Sequence, residues 1–284
     1  MPSSDVQCEV PWAIGGAGVF PSGFMQYPVS SQVNKPVWSD PKVLALYKAS
    51  TTLYNPEILV FLRFRSHISG KVLDIGCGAG RTSFFLLQTS ERYVGIDYSE
   101  EMIRACKARF PDSNFRVCDF SKMAFAADAA FDFALFSFNG IDYVDHSTRI
   151  RGISEVHRIL AKDGLFVFSS HNRNALPPRT AGPMLQFSPD PRRQLRLLKA
   201  FIAAWRNHQH NKKLETSAAE HVLINDHSHQ FSLLTYYIGK KDQLEQLLRH
   251  GFDVIDIYDN MGRRLSSDAD DSDSPWIYYV ARKV

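Results

Sequence analysis

From residue 71 onward, short apolar runs alternate with stretches of helical period. The runs at 71–75, 93–97, 115–119, 131–138 and 165–170 are almost continuously apolar, as expected of parallel strands covered on both faces. Between them, residues 81–88 are helix-like. The stretch 99–110 opens with a Ser cap and an acidic first turn, and spaces Met102, Ile103, Cys106 and Phe110 for burial. A further helix over 147–161 puts Ile150, Ile153, Val156 and Leu160 on one face, and Gly164 is its expected stop. Residues 240–250 form another, with Leu244, Leu247 and Leu248 inward and Gly251 as the C-cap. Strands at 252–258 and 276–281 follow, joined by a polar, acidic loop at 266–274. Strand and helix in this alternation predict a doubly wound α/β domain.

Two regions break the rhythm. Residues 1–40 carry Pro2, Pro11, Pro21, Pro28 and Pro36 with Gly15, Gly16, Gly18 and Gly23, which argues against a continuous helix. Trp12, Phe20, Phe24, Tyr27 and Trp38 make this stretch a packed arm rather than a free linker. Asp40-Pro41 and Asn55-Pro56 each pair an N-cap with proline at the first helical position, so two cap helices follow, closed by Gly70. Residues 172–238 are an insertion. Within it Asp190-Pro191 opens a helix with Leu195, Leu198, Ile202 and Trp205 on one stripe. Its other face bears Arg192, Arg193, Arg196, Lys199 and Arg206, read as the solvated side of an amphipathic lid. The chain thus divides into an arm with cap helices (1–67), a core (68–171), the insertion (172–238) and a C-terminal part of the core (239–284).

Composition narrows the function. With 284 residues, 44% hydrophobic and 22% charged, the chain is neither disordered nor fibrous. A net charge of +3 is too small to imply nucleic-acid binding, and no apolar run spans a bilayer. The start, MPSSDVQCEVPW, has neither a basic segment nor an apolar core, so a secretory signal is not expected. Cys8, Cys77, Cys106 and Cys118 lack paired or ligand-like spacing; a reducing cytoplasm is expected, without disulfide or metal.

The chemistry gathers at strand ends. The first strand runs into Asp74-Ile-Gly76-Cys77-Gly78-Ala-Gly80 and then a helix. Glycines allow a tight turn and close approach of a ligand. Dinucleotide enzymes use GxGxxG for a pyrophosphate, but here the third position is Arg81, too long for the close helix–strand contact. Asp74 would repel a pyrophosphate and attract an ammonium or sulfonium. Asp97 ends the second strand, where an acid can accept from both ribose hydroxyls. Asp119 ends the third beside Cys118 and Phe120, suited to an exocyclic amine and a purine ring. Phe136-Ser-Phe138-Asn139-Gly140 ends the fourth. All lie at the carboxyl edge, where open α/β sheets bind ligands.

These segments, VLDIGCGAGR, YVGIDYSEEMI, VCDF, FDFALFSFNGIDYV and ISEVHRILAKDGLFVFSSHN, resemble the class I S-adenosylmethionine-dependent methyltransferases over residues 70–172. The resemblance implies a seven-stranded, mostly parallel, Rossmann-like sheet with an N-terminal cap and a helical insertion. It also implies S-adenosyl-L-methionine as cofactor and S-adenosyl-L-homocysteine as product. Gly76, Cys77, Gly78 and Gly80 would then cradle the methionine portion, with Asp74 supporting its amino group. Asp97 would hold the ribose, Tyr98 and Met102 the adenine, and Asp119 the adenine amine with Cys118 and Phe120 alongside. The backbone at Phe138 and Asn139 would reach the amino-acid end.

The acceptor is read by elimination. SFNG replaces the Asn/Asp-Pro-Pro-aromatic motif of enzymes that methylate base amino groups. Residues 137–150 contain no Glu, unlike the paired-glutamate loop of protein-arginine methyltransferases. Cytosine-carbon methylation needs a nucleophilic Cys, yet Cys118 falls where adenine belongs. A small-molecule oxygen or nitrogen acceptor is expected, with no nucleic acid and no membrane as partner; the oligomeric state is not legible. His171, directly after the fifth strand, is the candidate general base. Tyr27, Tyr143, Asn172, Trp205 and Tyr237 are candidate pocket residues. His227 and His229 would share one face of a strand. Rival readings are an RNA methyltransferase using the basic insertion, a nicotinamide-dependent oxidoreductase, or a non-catalytic methyltransferase-like subunit.

Overall fold

The apolar runs become strands where expected because each buries both of its faces. A computed structural model describes residues 29–176 and 182–284; Tyr27 and most of the predicted arm lie outside these residues. Numbered along the chain, the strands are β1 (Lys71–Ile75), β2 (Arg92–Asp97), β3 (Phe115–Val117), β4 (Phe131–Phe136), β5 (Leu160–His171), β6 (Thr216–Ser217), β7 (His221–Ile224), β8 (Thr235–Ile238), β9 (Phe252–Asp259) and β10 (Trp276–Lys283). The helices are α1 (Val29–Trp38), α2 (Pro41–Ala49), α3 (Asn55–Arg63), α4 (Arg65–Ile68), α5 (Ser83–Thr89), α6 (Glu100–Arg109), α7 (His146–Ile159), α8 (Pro191–Asn211) and α9 (Lys240–Arg249).

Seven strands form one sheet in the order β3-β2-β1-β4-β5-β10-β9. β1 to β5 run parallel, and β10 is antiparallel to both β5 and β9. The order reverses between β1 and β4, which opens a crevice at their carboxyl ends. Alternate residues feed opposite faces. Leu73, Ile75, Val94 and Ile96 pack under α7 and α9 with Ile153, Val156 and Leu247. Val72, Tyr93 and Phe133 pack with Val60, Leu86, Ile103 and Cys106 of the helices on the other side.

Several boundaries differ from the sequence reading. α1 is a continuous helix despite Pro36, because tertiary bonds hold it. The fully buried Asn34 donates to the carbonyls of Tyr143 and Leu234 and accepts from Leu234 N. α3 is capped one residue early, at Tyr54, whose amide donates to Glu57 at 2.7 Å. α5 begins at Ser83 because residues 76–82 are needed for the turn. α7 is capped by Asp145, which accepts from Thr148 N at 3.0 Å, and ends at Ile159. Gly164 does not stop it. The chain enters β5 at once, with Leu160 paired to Phe131 and the register shifting before Phe133.

The insertion is only partly helical. α8 is followed by a three-stranded antiparallel sheet, β6-β7-β8. A parallel bridge from Asn172 to Ile238 ties this sheet to the end of β5. His227 and His229 are not on a strand. They lie in the turn between β7 and β8, where His229, Gln230 and Phe231 all have positive φ. The stripe on α8 is also reversed: Leu195, Leu198, Ile202 and Trp205 point outward. Leu197, Phe201 and Ala204 face the protein instead and line a cavity.

Candidate functional site

The turn after β1 is fixed from below. Asp74 is 1% exposed. Its Oδ2 accepts from Thr82 Oγ1 at 2.9 Å, Ser83 Oγ at 3.1 Å and Tyr93 OH at 2.9 Å. Burial pushes this carboxyl up to about 6, opposed by those three bonds and by the charge of Arg81. Asp74 therefore does not line the cavity above, contrary to the direct contact expected of it. It clamps the start of α5 under the turn.

Gly76, Gly78 and Gly80 have φ of +60, +54 and +86°, a region only glycine occupies without strain. Their surroundings differ. A Cβ on Gly76 would lie 2.5 Å from the Phe136 ring, and one on Gly80 2.8 Å from Phe110. A Cβ on Gly78 would meet only Tyr47, at 3.5 Å, so a side chain there would stand in the cavity. Backbone exposed in this way at a strand-to-helix turn fits a ligand laid across it.

That cavity, of about 100 Å³, brings together most of the expected cofactor residues: Gly76, Cys77, Gly78, Asp97, Tyr98, Met102, Cys118, Phe120 and Phe138. Asp97 is held by Ser99 N on Oδ1 at 2.8 Å and Gly78 N on Oδ2 at 3.0 Å. Burial pushes it up to about 6. Met102 and Phe120 are buried beside it. Burial also pushes the Cys118 thiol up to about 11, so it is inert as a nucleophile. The acid at the rim, the apolar slot and the bare turn at Gly78 suit an adenosine joined to a small polar tail. Asp119 is exposed and outside the lining, with Oδ1 accepting from Ser121 N and Oγ at 2.8 Å each.

A cluster not anticipated from sequence joins the cap helices to this turn. Arg81 makes a bidentate pair with the buried Glu57, both bonds at 2.6 Å. Ser137 and Tyr278 also bond Glu57. The rings of Tyr54 and Phe138 stack 5.1 Å apart, and the Arg81 guanidinium sits 5.0 Å from the Tyr54 centroid. Arg81, read from sequence only as an obstacle to a dinucleotide, is an anchor. Phe138 and Asn139 both have left-handed φ, +53 and +58°, a strained pair held by these contacts.

A second cavity of about 1030 Å³ adjoins the first and shares Tyr47, Phe138 and Tyr143 with it. His171, Tyr237 and Asn139 line one side and α8 the other. His171 Nδ1 lies 2.8 Å from Asp142 Oδ2, which also accepts from the His171 amide at 2.6 Å. Asp142 is fully buried and paired to the equally buried Arg149 at 2.5 Å. Arg149 in turn is held by Gln243 at 2.6 Å and Ser170 at 3.0 Å. Assigning the Nδ1 proton to the carboxylate leaves the Nε2 lone pair toward Asn139 Nδ2, 3.3 Å away. Asn139 Oδ1 is buried with no donor among the described residues.

Of the other expected pocket residues, Tyr143 lines both cavities. Tyr237 lines the second, with its hydroxyl donated to Asp226 at 2.7 Å. Asn172 also lines it, but its amide is committed to the carbonyls of Asp271 and Ser274. Trp205 is 52% exposed and takes no part. Among the described residues, no three His, Cys, Asp or Glu side chains are grouped to hold a metal ion.

Residues 72–164 match the family profile described as a methyltransferase domain. A ubiquinone/menaquinone biosynthesis C-methyltransferase from Citrifermentans bemidjiense is 33% identical over 118 residues, 38% of this chain and 48% of that protein. A ubiquinone biosynthesis O-methyltransferase from Paraburkholderia xenovorans is 32% identical over 140 residues, 48% of this chain and 59% of that one. The chain spans about half the length of such relatives. Among solved structures, the Burkholderia thailandensis 1,6-didemethyltoxoflavin N1-methyltransferase, crystallised with its substrate and S-adenosylhomocysteine, aligns over 93% of both chains. Its TM-score is 0.57 at 15% identity. A Clostridium acetobutylicum S-adenosylmethionine-dependent methyltransferase covers 85% of this chain and 98% of its own, with TM-score 0.56 at 13% identity; at such identities the likeness is one of fold. Residues 72–164 are thus a methyltransferase domain, set in a chain whose fold is that of the S-adenosylmethionine-dependent methyltransferases.

Proposed function

We propose that this chain methylates a small hydroxylated aromatic molecule held in the larger cavity, with His171 as general base. The observation that carries the proposal is the wall shared by the two cavities, with His171, held by the buried Asp142, facing the second. When bound, S-adenosylmethionine supplies an electrophilic methyl group. The residues then divide the remaining work. The turn at Gly78 receives the methionine portion, and the backbone at Phe138 and Asn139 meets its amino-acid end. Asp97 accepts from the ribose hydroxyls. Tyr98, Met102, Cys118 and Phe120 enclose the adenine. Asp74, ionised at neutral pH beneath the turn, disfavours a pyrophosphate there.

His171 Nε2 takes the proton of an acceptor hydroxyl. Asp142 fixes the tautomer that leaves Nε2 free and stabilises the imidazolium that forms. Arg149 pairs with the other oxygen of Asp142 and holds the carboxylate in place. The incoming hydroxyl competes with the Asn139 amide for Nε2. Tyr47, Phe138 and Tyr143 line both cavities where the two meet. An aromatic hydroxyl, once deprotonated, is nucleophilic at oxygen and at the ring carbons beside it, so one base serves either outcome. The names of the quinone-pathway relatives, one a C- and one an O-methyltransferase, support this acceptor class.

The test is methyl transfer from isotopically labelled S-adenosylmethionine to a panel of catechols and hydroquinones, with wild type and His171→Ala compared. A labelled aromatic product that falls about 100-fold or more in the variant, while S-adenosylhomocysteine still binds, supports the proposal. Equal turnover by both proteins contradicts the role of His171, and no product from any member contradicts the acceptor class.

A further inference from the structure

The strongest apolar stripe in the insertion faces solvent. Leu195, Leu198, Ile202 and Trp205 are 54, 39, 41 and 52% exposed on one side of α8. At about 100° per residue, they form an arc next to the one that lines the cavity. On the far side of that apolar arc stand Arg192, Arg196, Lys199 and Arg206, all exposed and none ion-paired among the described residues. No acidic residue occurs between Pro191 and Leu214.

We propose that this outer face of α8 docks the protein on an anionic lipid bilayer, lying in the headgroup region without crossing it. Among the described residues no helix is long and apolar enough to cross a membrane. A 21-residue helix with aliphatic side chains and a Trp beside a run of arginines has the form of an interfacial helix. The apolar arc enters the acyl boundary while the basic arc meets anionic headgroups. The charge decides between occupants. A second copy of this chain would bring like charges together across a two-fold contact. An RNA strand would meet the arginines but gain nothing from Leu195, Leu198 and Ile202, since bases are held by stacking and edge hydrogen bonds. The sequence reading expected no membrane partner because no apolar run spans a bilayer; an interfacial helix needs none.

The test is sedimentation of the full chain with phosphatidylglycerol–phosphatidylcholine vesicles and with pure phosphatidylcholine vesicles. Binding to the first, little to the second, and partial release by salt are expected. Leu198→Asp with Ile202→Asp, and separately Arg192→Gln, Arg196→Gln, Lys199→Gln and Arg206→Gln combined, each lower the bound fraction by roughly tenfold or more. An unchanged thermal shift with S-adenosylhomocysteine shows that the variants remain folded. The proposal is overturned if the wild-type chain stays in the supernatant with anionic vesicles, as it would were the face covered by residues 1–28 or by a second copy. Equal vesicle binding by folded variants, or retention of RNA but not of vesicles, overturns it too.

Discussion

Asp142 Oδ2 bonds both the ring Nδ1 of His171, at 2.8 Å, and its backbone amide, at 2.6 Å. One buried carboxylate thus sets the position and the tautomer of the residue facing the acceptor cavity. Replacing it by Asn keeps the shape and loses the charge. Asp142→Asn is expected to lower the catalytic rate by about 100-fold or more with S-adenosylhomocysteine affinity little changed. Single-turnover kinetics beside calorimetry checks this.

Arg149 and Asp142 are both fully buried. Removing one partner strands the other charge without water, which costs about 3–5 kcal/mol. Arg149→Met should therefore lower stability by about that amount. A surface pair such as Arg249 with Glu220 contributes little in solvent, so Arg249→Met serves as the control. Urea denaturation of the two variants compares them directly.

The glycine turn offers a separation of folding from binding. At Gly76 a Cβ collides with Phe136, whereas at Gly78 it projects into the cavity near Tyr47. Both positions also carry the strain of a left-handed residue, about 1–2 kcal/mol for alanine. Gly76→Ala should destabilise the fold beyond that strain. Gly78→Ala should cost about that strain and no more, and lose cofactor affinity. Thermal melts with and without S-adenosylhomocysteine distinguish the two outcomes.

Burial pushes both Asp74 and Asp97 up to about 6, above an unfolded value of about 4. Above pH 6 the folded protein holds both ionised at a desolvation cost that the unfolded chain does not bear. As pH falls from 6 to about 4, the folded state takes up protons first and the cost is relieved. The stability of wild type relative to Asp74→Asn should therefore rise as pH is lowered from 7 to 5. Cofactor affinity should move the other way, because Asp97 accepts ribose hydroxyls best as a carboxylate. Calorimetric titrations with S-adenosylhomocysteine should weaken below pH 6, and Asp97→Asn should flatten that dependence.

The sheet was legible because parallel strands buried on both faces leave continuous apolar runs, as in Lys71–Ile75. The cofactor edge was legible because a glycine turn and Asp97 stand at consecutive strand ends. Asp119 and Asp74 were placed on the right loops, but sequence does not tell that one carboxylate is exposed and the other sealed beneath the turn. The partners of His171 and Arg81 escaped notice because Asp142 and Glu57 are distant in sequence and look like ordinary loop or helix acids. α8 misled for a different reason. The side roofing a cavity uses Ala204 and Phe201 among smaller or polar neighbours, while the larger apolar residues face out.

The most direct measurement for the cofactor assignment is the affinity of wild type and Asp97→Ala for S-adenosylhomocysteine, by calorimetry at neutral pH. Loss of a charge-assisted contact worth about 1.5–3 kcal/mol predicts a roughly ten- to hundredfold weaker complex. A folded Asp97→Ala protein that binds as tightly as wild type would contradict the account.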